Sequence, residues 1–488
     1  MRKDQFNYYP SRDPFADFPA TQSSRRQLLN WGVKADVSTT SGRNNLKYGL
    51  DLKQTRLVEN FGFGITDPAF NPVCLDRGGN PVTIPTLRNP ALCTSRGFVR
   101  NPDFLPALLP FDLTRFGSLF AFHAADNINQ YRFYVQDSIT AGNFQFNVGF
   151  RLDRYDGLAT KTEPEPRMGV AYKIKGTVLR VAYARTLETP FNENLLLSSA
   201  TGAGGLEQGV LGAVGEAIQP GFRNQFNAGF QQAIGKFLLL DADYFWKYTH
   251  GAFDYNILLN TTITFPIEWH NSKLDGVTGR LSTTNLKGVQ AYWTFGHTRA
   301  RYFPPDTGGL IFQGAPLADS VFRIDYDQAF QSTLNFRYQR PRNAEWISWS
   351  WRYDSGLVVS GIPDSDAALA LTPNQQVTIG LACGGTFATV DNPITDCGKT
   401  VTSKLLVLPQ AGEGNPDHNP DRVKPRNLFN LGVGTDNLLH REGARRYTAS
   451  IEVTNLTNQA ALYNFLSTFS GTHFLQPRTL IAHVGLAF

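Results

Sequence analysis

Three side chains that ligate metals stand close together in one segment of the sequence. Asp417, His418 and Asp421 all lie in Asn415-Pro-Asp-His-Asn-Pro-Asp421. Carboxylates suit Ca²⁺, and carboxylates with imidazole suit several transition metals, so one interpretation is a cation contact. A proline-broken, solvated loop is the commoner explanation of such a pattern. We therefore predict that this segment binds no metal. The three residues are the weak candidate ligands against which that prediction can be checked.

The four cysteines form two close pairs, Cys74 with Cys93 and Cys383 with Cys397. Each pair lies in a long segment rich in Gly, Pro and Asn. An even number of cysteines confined to loops predicts two local disulfides, formed in an oxidising compartment. The alternative is a four-thiolate metal site, but neither pair has the Cys-x-x-Cys spacing typical of one.

No group of residues has the types and spacing of a catalytic site. The 8 histidines are scattered along the chain, and the acidic pair Asp364 and Asp366 stands without other candidate groups. Gly202-Ala-Gly-Gly205 resembles a phosphate-binding loop, but no Lys-Ser/Thr follows it and no strand–helix pattern surrounds it. We predict that the chain is not an enzyme and needs no cofactor.

The loops that carry the cysteines and the candidate ligands must be positioned by β-strands, because the rest of the chain alternates apolar and polar residues with a period of two. Asn143–Asp153 places Phe, Val and Leu at every second position and Asn, Gln, Gly, Arg and Asp between them. This period indicates a strand with one apolar and one polar face. The pattern recurs along the chain up to its end, where five apolar residues share one face: Leu480, Ala482, Val484, Leu486 and Phe488.

Composition excludes several other classes of protein. Charged residues make up 18% of the chain, below the roughly 25% of ordinary soluble domains. No window approaches the ~18 apolar residues of a membrane helix, so any membrane span must be a strand. The 46 Lys+Arg and 41 Asp+Glu give a net charge of +5 with no basic tract, which argues against nucleic acid as a partner.

Short and long connections alternate between the predicted strands. Outer-membrane barrels have short periplasmic turns and long external loops, so this rhythm predicts a single all-β domain over residues 1–488, a transmembrane antiparallel β-barrel. Tandem soluble β-sandwiches would instead need linkers and separate cores. The long segments are 61–128, 187–220, 250–267, 300–325 and 354–424.

The predicted barrel has fifteen strands and the remnant of one more at residues 4–9. The fifteen are placed at 26–38, 44–58, 129–140, 143–154, 165–174, 177–186, 221–234, 237–250, 268–281, 286–299, 326–339, 345–354, 426–434, 446–455 and 478–488. Single-chain bacterial barrels have even strand numbers, so we expect sixteen strands or an incomplete larger barrel. The start, Met1–Pro10, lacks the apolar region of a signal peptide, which favours a chain cut at its amino end.

Several strands resemble the carboxyl-terminal barrel of TonB-dependent outer-membrane receptors. The resemblance is to the large type, whose amino-terminal part carries a carboxypeptidase-regulatory-like domain and a plug. No plug or TonB box is found, so the resemblance covers the barrel wall and external loops and implies truncation before the plug. The matching stretches are Tyr134–Ile139, Asn143–Asp153, Pro166–Tyr172, Leu179–Tyr183, Arg223–Gln232, Val453–Asn458 and Gln476–Arg478 leading to Phe488.

The resemblance implies a bacterial outer-membrane receptor for energised uptake of an external nutrient, such as a siderophore, cobalamin or a carbohydrate. The implied partners are outer-membrane lipid, the barrel assembly machinery and a small external ligand, with the TonB complex only if the full protein has a plug. The terminal strand, Leu480–Phe488, resembles the signal that the assembly machinery reads. A passive diffusion pore and a surface-binding or structural barrel are the alternatives.

We expect ligand contacts in the long loops, because a barrel wall fixes position while external loops carry recognition. The alternative role for the loop aromatics is self-packing or an aromatic girdle at the membrane interface. Trp346, Trp349 and Trp351 fall on both faces of one predicted strand, and His483 is expected to face the lumen. The loop candidates are Phe303, Phe312, Phe387, Tyr463, Phe465 and Phe469.

Overall fold

Sixteen long antiparallel strands dominate the protein. The computed structural model describes the chain except for residues 10–12, 14, 16, 200–216, 258–263, 309–317, 319, 341–343, 360–361, 363, 398–400, 440–445, 468–470 and 488. The strands are β1 (Arg2–Tyr8), β2 (Ala20–Ser41), β3 (Asn44–Ile65), β4 (Phe120–Ala141), β5 (Phe144–Asp156), β6 (Thr160–Ile174), β7 (Thr177–Glu188), β8 (Gly221–Ile234), β9 (Leu238–Ile257), β10 (Thr264–Thr283), β11 (Val289–Thr307), β12 (Phe330–Gln339), β13 (Glu345–Asp354), β14 (Arg426–Thr435), β15 (Arg446–Thr454) and β16 (Thr479–Ala487).

These strands form one meander, in which each strand pairs with the next along the chain from β1 to β16. The pairing confirms the predicted all-β antiparallel architecture, and every predicted strand overlaps an observed one. In the part of the chain that the structure describes, no ladder joins β1 to β16.

Two connections that we predicted as long loops contain extensions of the neighbouring strands. In place of a loop at 250–267, β9 and β10 continue as a hairpin whose pairs reach Ile257 and Thr264. In place of the first part of 300–325, β11 continues to Thr307. The extended strands bury Trp269, Tyr302 and their neighbours in a common cluster. These predictions were wrong because short apolar stretches among polar residues gave no clear period of two.

The sheet is curved, and a single helical turn marks its concave side. Helix α1 (Leu195–Ser198) contacts both β3 and β10. Seven strand spacings of about 4.8 Å separate these strands along the sheet, roughly 34 Å. A helix of four residues is only about 6 Å long, so the sheet must curl around it. The inner face therefore contains Leu57 and Glu59 of β3, which lie beside α1.

The remaining short elements lie in the long loops. They include helices α2 (Ser365–Leu369) and α3 (Pro373–Ile379), and the 3-10 turns Pro90–Leu92, Thr94–Arg96, Pro106–Phe111 and Leu113–Arg115. None of the helices in the described residues has the length and apolar character needed to cross a membrane. The short strands are Cys74–Leu75, Val99–Arg100, Phe322–Arg323, Leu381–Cys383, Thr386–Phe387, Val401–Ser403, Leu406–Val407, Arg422–Val423, Leu462–Ser467 and Gly471–Phe474.

Two disulfides fasten the loops. Cys74 is joined to Cys93 and Cys383 to Cys397, the pairs that the sequence predicted. The first lies buried among Val73, Leu87 and other apolar side chains of the loop between β3 and β4. The second lies beside an apolar cluster that the loop between β13 and β14 shares with Leu462 and Phe465 of the loop between β15 and β16.

Candidate functional site

The outer face of the sheet carries an apolar band. On β3 the outward side chains Tyr48, Leu50 and Leu52 are each 41% exposed. The next two positions on this face are Gln54 and Arg56, so the band ends there. Exposed apolar side chains in a continuous band suit contact with lipid. Residues of β3 beyond Arg56, including Glu59, lie outside the band on the side of the long loops.

The inner face of β3 to β6 carries a row of alternating charges. Arg132 lies between Asp51, at 3.4 Å, and Asp153, at 3.3 Å. Arg151 contacts the same Asp153 and lies 3.3 Å from Glu165. The register places these residues on adjacent strands and on one face. Each guanidinium is shared between carboxylates, so this part of the inner wall is polar and its charges are largely compensated.

A second ionic contact crosses a whole strand. Arg180 of β7 and Asp243 of β9 both pair with Gly229 of the intervening β8. The Nε of Arg180 donates to Oδ1 of Asp243 at 2.9 Å, and its Nη2 donates to Oδ1 of Asp241 at 2.5 Å. A Cβ at position 229 would lie 2.0 Å from Oδ1 of Asp243. Only glycine therefore leaves room for the guanidinium to pass over β8.

The inner face of β11 to β14 is mostly uncharged. Hydroxyl and amide side chains line two recesses there, of about 360 and 370 Å³. Tyr292 lies at the second recess, with the guanidinium of Arg280 5.0 Å from its ring centre. The wall therefore has a charged part and a hydroxyl-rich part. The second part includes Thr294, Gln331, Thr333, Asn335, Ser348, Ser350 and Asn430.

An apolar cluster fills the long-loop end of the inner face between β3 and β10. It combines wall residues such as Leu57 and Phe265 with Leu108 from the loop after β3. Three consecutive leucines of α1, Leu195 to Leu197, are at most 3% exposed within it. We call residues 189–199 the strap and this cluster the seal. The rest of the seal is Ala20, Phe61, Phe63, Ile65, Phe120, Phe122, Ile128, Tyr155 and Ile218.

The strap is held at several points along its length. Glu193 lies 3.3 Å from Nη2 of Arg26 on β2. The amide of Asn194 donates to the carbonyl of Thr264 at 2.8 Å. The ring of Phe191 stacks on Tyr255 with 4.5 Å between ring centres. The strap therefore spans from β2 and β3 to the β9–β10 hairpin.

Glu59 is the polar contact at the centre of the seal. Its carboxyl group accepts the backbone N–H groups of Leu196, at 3.3 Å, and Leu197, at 3.0 Å. Only 2% of the residue is exposed. Burial raises the pKa of Glu59 to about 7, while the two N–H groups and the charge of Arg26 act in the opposite direction. A carboxyl that holds its proton near neutral pH thus docks the strap.

The loop between β13 and β14 is attached by ion pairs to the connection between β11 and β12. The Nη2 of Arg422 donates to Oδ1 of Asp327 at 2.6 Å. Arg323 lies 3.4 Å from the other oxygen of Asp327 and 2.9 Å from Asp417. Asp327 is 1% exposed, so loss of both arginines would leave a buried charge unpaired.

The three candidate metal ligands do not share one position. Asp417 is paired with arginines, and the side chain of His418 is 79% exposed, with Nε2 3.8 Å from Asp417. Burial raises the pKa of Asp421 to about 8, and the nearby charge of Asp364 acts in the same direction. A protonated carboxyl is a poor cation ligand. In the part of the chain that the structure describes, no group of three or more His, Cys, Asp or Glu is placed to hold a metal ion.

The candidate aromatic residues have different surroundings. Phe465 is 1% exposed in the core of the loop between β13 and β14, which matches self-packing, whereas Phe387 and Tyr463 are 57% and 46% exposed. Phe303 lies under the ammonium of Lys273. Phe312, Phe469, Phe488 and the glycine segment 202–205 lie outside the described residues.

The terminal strand and the tryptophans follow the predicted faces. The register pairs His483 with Ser450 on the inner face, and Val484 is 85% exposed on the outer face. Trp349 and Trp351 share the outer face with Leu431 and Phe429, while Trp346 is inside, where its Nε1 donates to Asp436 at 3.1 Å. Leu480, Ala482 and Leu486 lie on the same face as Val484.

Sequence reasoning missed Glu59, Arg180 and Gly229. Glu59 stands between Leu57 and Phe61 at an inward position of an otherwise apolar strand end. Such an isolated carboxylate was a detectable signal of a buried acid. The contact between Arg180 and Asp243 gave no signal, because 63 residues separate its partners.

The fold and the wall define a family. A model of the TonB dependent receptor-like β-barrel matches residues 2–456, from β1 through β15. The chain therefore belongs to the TonB-dependent receptor β-barrel family, whose members are outer-membrane receptors and transporters and not enzymes. No curated protein matches the sequence.

Several solved structures share the fold at low sequence identity. The ferric citrate transporter FecA, in the unliganded form, is 13% identical with a TM-score of 0.54, over 96% of this chain and 56% of its own. The FrpB iron transporter from Neisseria meningitidis is 12% identical with a TM-score of 0.54, over 95% and 58%. The copper transporter OprC is 10% identical with a TM-score of 0.54, over 96% and 57%. The chain thus spans little more than half the length of these proteins.

Proposed function

We propose that this chain is the wall and external-loop part of a bacterial outer-membrane receptor that takes up an external nutrient in a TonB-dependent manner. The family supports uptake in general. The solved relatives carry iron, ferric citrate and copper, and this chain's own ligand is a small external solute of unassigned chemistry. No catalytic step is part of the proposal.

The observation that carries the proposal is the seal. A passive pore needs an open aqueous path along its inner wall, and its constriction is normally lined by polar groups. Here Leu57, Phe265 and the leucines of the strap fill the long-loop end of the inner face between β3 and β10. An apolar seal that must be displaced suits a receptor with gated, energised uptake better than a diffusion pore.

The charged part of the wall supports the same function. Arg132, Arg151 and their carboxylate partners present compensated charges to the interior. Such a surface can hydrogen-bond a folded domain or a hydrated solute without a strong net field. We propose that a plug, if the full protein contains one, contacts this part of the wall.

The test is uptake in cells with and without the TonB complex. A strain lacking the gene is supplied with ferric siderophores, copper, cobalamin or oligosaccharides as the limiting nutrient, and uptake is measured after the gene is restored. We expect restored uptake of one ligand class in a TonB-positive strain and none in a tonB deletion. Uptake that persists in the deletion strain, in proportion to external concentration, would favour the passive pore.

Location and assembly need their own measurement. We propose that the protein resides in the bacterial outer membrane and that the assembly machinery reads Leu480, Ala482, Val484, Leu486 and Phe488. Polar substitutions at Leu480 and Val484 should lower the amount of folded protein in outer-membrane fractions. Unchanged amounts of folded protein in these fractions would contradict the proposed role of this strand in assembly.

A further inference from the structure

The inner face around β12 presents hydroxyl and amide side chains. Gln331, Thr333 and Asn335 occupy successive inward positions of β12. Thr294 of β11 lies opposite Thr333, and Ser350 of β13 lies opposite Asn335. With one tyrosine of β11 these residues form a set that we call the neutral panel. Its members are Tyr292, Thr294, Gln331, Thr333, Asn335 and Ser350.

The panel belongs to a continuous row across four strands. The register places Tyr292, Asn335, Ser350 and Asn430 opposite one another on β11 to β14. Three strand spacings of about 4.8 Å make this row roughly 14 Å long. The two recesses of about 360 and 370 Å³ open onto the panel. Each volume lies in the lower part of the range of ~300–1,000 Å³ that is typical of small-molecule sites.

The hydrogen-bonding groups of the panel are largely unused by the protein. In the part of the chain that the structure describes, the side chains of Gln331, Thr333 and Asn335 bond to no other residue. The charged part of the wall is different, because Arg132 and Arg151 are each shared between carboxylates. Hydroxyl and amide groups both donate and accept hydrogen bonds. The panel therefore suits a ligand whose groups also do both.

The charges at the edge of the first recess balance one another. Arg180 contacts both Asp241 and Asp243. Arg280 is the register partner of Asp241, so two cations face two carboxylates. This balance leaves little net field over the panel and favours an uncharged ligand over an ion.

The second recess adds an aromatic ring to the polar row. Its lining contains one charged residue of each sign, Arg337 and Glu452, and Arg337 also lies 3.5 Å from Asp436. Tyr292 is 41% exposed. Its ring is an apolar surface and its hydroxyl a polar one, so a ligand that carries both kinds of surface fits beside it.

We propose that the neutral panel binds an uncharged oligosaccharide during its passage along the inner wall. The inference rests on the uptake function proposed above and names its substrate class. Sugar hydroxyls donate and accept hydrogen bonds as the groups of the panel do. Several linked sugar rings contact the whole row at once, and the C–H face of one ring covers Tyr292.

The experiment is a calorimetric titration of the purified full chain in detergent micelles. The probes are uncharged trisaccharides built from glucose, galactose, mannose or xylose. We expect saturable binding of at least one of them, with a Kd on the order of 1 mM or below. Added salt should leave the affinity unchanged, because screening acts on charges and the ligand has none.

Matched variants locate the binding. The panel variant combines Gln331→Leu, Thr333→Val and Asn335→Leu, and its affinity should fall by about tenfold or more, because three hydrogen-bonding groups are lost. The control variant removes the same three residue types from the inner face of β4 and β5 and should keep the affinity. The control substitutions are Thr140→Val, Gln145→Leu and Asn147→Leu.

A second variant keeps the inference testable if the panel variant fails to fold. Tyr292→Leu leaves β12 intact and should weaken binding severalfold, because it removes the ring and the hydroxyl from the row. Wild-type affinity in the folded Tyr292→Leu protein would contradict the proposed contact with the sugar ring.

The outcomes separate the inference from the function on which it rests. Absence of saturable binding for all four sugars, or equal affinities of the panel variant and the wild-type protein, would overturn the inference. Affinity that decreases as salt is added would overturn the uncharged ligand. Binding that follows the expectation, together with sugar uptake that persists in a tonB deletion, would support the panel and contradict energised uptake.

Discussion

Replacing Glu59 by Gln tests whether a protonated carboxyl docks the strap. In the docked strap the pKa of Glu59 is about 7, against the ordinary value of 4.5. The docked state therefore keeps a proton that the undocked state releases. Docking is strongest below pH 4.5, weakens as the pH rises from 4.5 to 7, and stays constant above 7.

The size of the effect follows from the same two values. Each pH unit of difference corresponds to about 1.4 kcal/mol, so docking should be about 3 kcal/mol weaker at pH 8 than at pH 4. Because Glu59 is 2% exposed, solvent screening does not reduce this figure appreciably. The two carboxyl oxygens of Glu59 accept one N–H group each, from Leu196 and Leu197. Gln keeps one of these two acceptors, as a protonated carboxyl keeps one carbonyl oxygen, and it has no proton to lose.

Hydrogen exchange of the amides of residues 195–199 measures docking directly. At each pH the exchange rates of the wild-type protein are divided by those of Glu59→Gln, which cancels the pH dependence of the chemical exchange. The ratio should be near one at pH 4 and should rise to on the order of 100 at pH 8. Glu193→Gln removes an exposed carboxylate from the same strap and should leave the pH dependence of docking in place.

A constant ratio between pH 4 and 8 would refute the reasoning. It would mean that Glu59 is ionised when the strap is docked, and that the two N–H groups and Arg26 outweigh the cost of burial. The same measurement would then assign the attachment of the strap to its leucines.

Three further substitutions test other parts of the wall. Gly229→Ala should lower the urea midpoint of unfolding in liposomes, whereas Gly169→Ala, whose Cβ would meet nothing closer than 3.8 Å, should change it little; equal midpoints would contradict the bridge over β8. Val484→Lys on the outer face should cost about 2–4 kcal/mol, and His483→Lys on the inner face much less; reversed costs would mean that the faces are wrongly assigned. Arg426→Leu removes one of the two arginines that contact the buried carboxylate of Asp354 and leaves Arg352 at 3.0 Å, so we expect a loss of about 1.5–3 kcal/mol by the same titration.

The strands were predictable because the residue types in each one reflect the different surroundings of its two faces. In Asn143–Asp153 every second side chain lies on the apolar outer face of the sheet, so the period of two appears in the sequence itself. Glycine and asparagine in the turns mark the ends of the strands, and this signal is independent of the period of two. Prediction failed for the β9–β10 extension, where Ala252 and Ile267 meet other loops and no longer alternate between two solvents.

The site was less predictable, because its contacts join distant parts of the chain. Glu59 and Leu197 are separated by 138 residues, and neither residue type requires the other. The cysteine pairs were predictable for the opposite reason: their separations are 19 and 14 residues, so the local segment limits the choice of partner. The metal candidates shared a segment in the same way, but arginines from other segments bind Asp417.

The passage of Arg180 over Gly229 has a consequence for how the wall is assembled. A one-residue slip of β8 would turn Ala228 or Phe230 toward the interior at the point where the guanidinium crosses. Either side chain would block the route to Asp243 and leave three charges without partners. The bridge forms only when three successive strands are in register, so it favours the observed register of β8 over a one-residue slip.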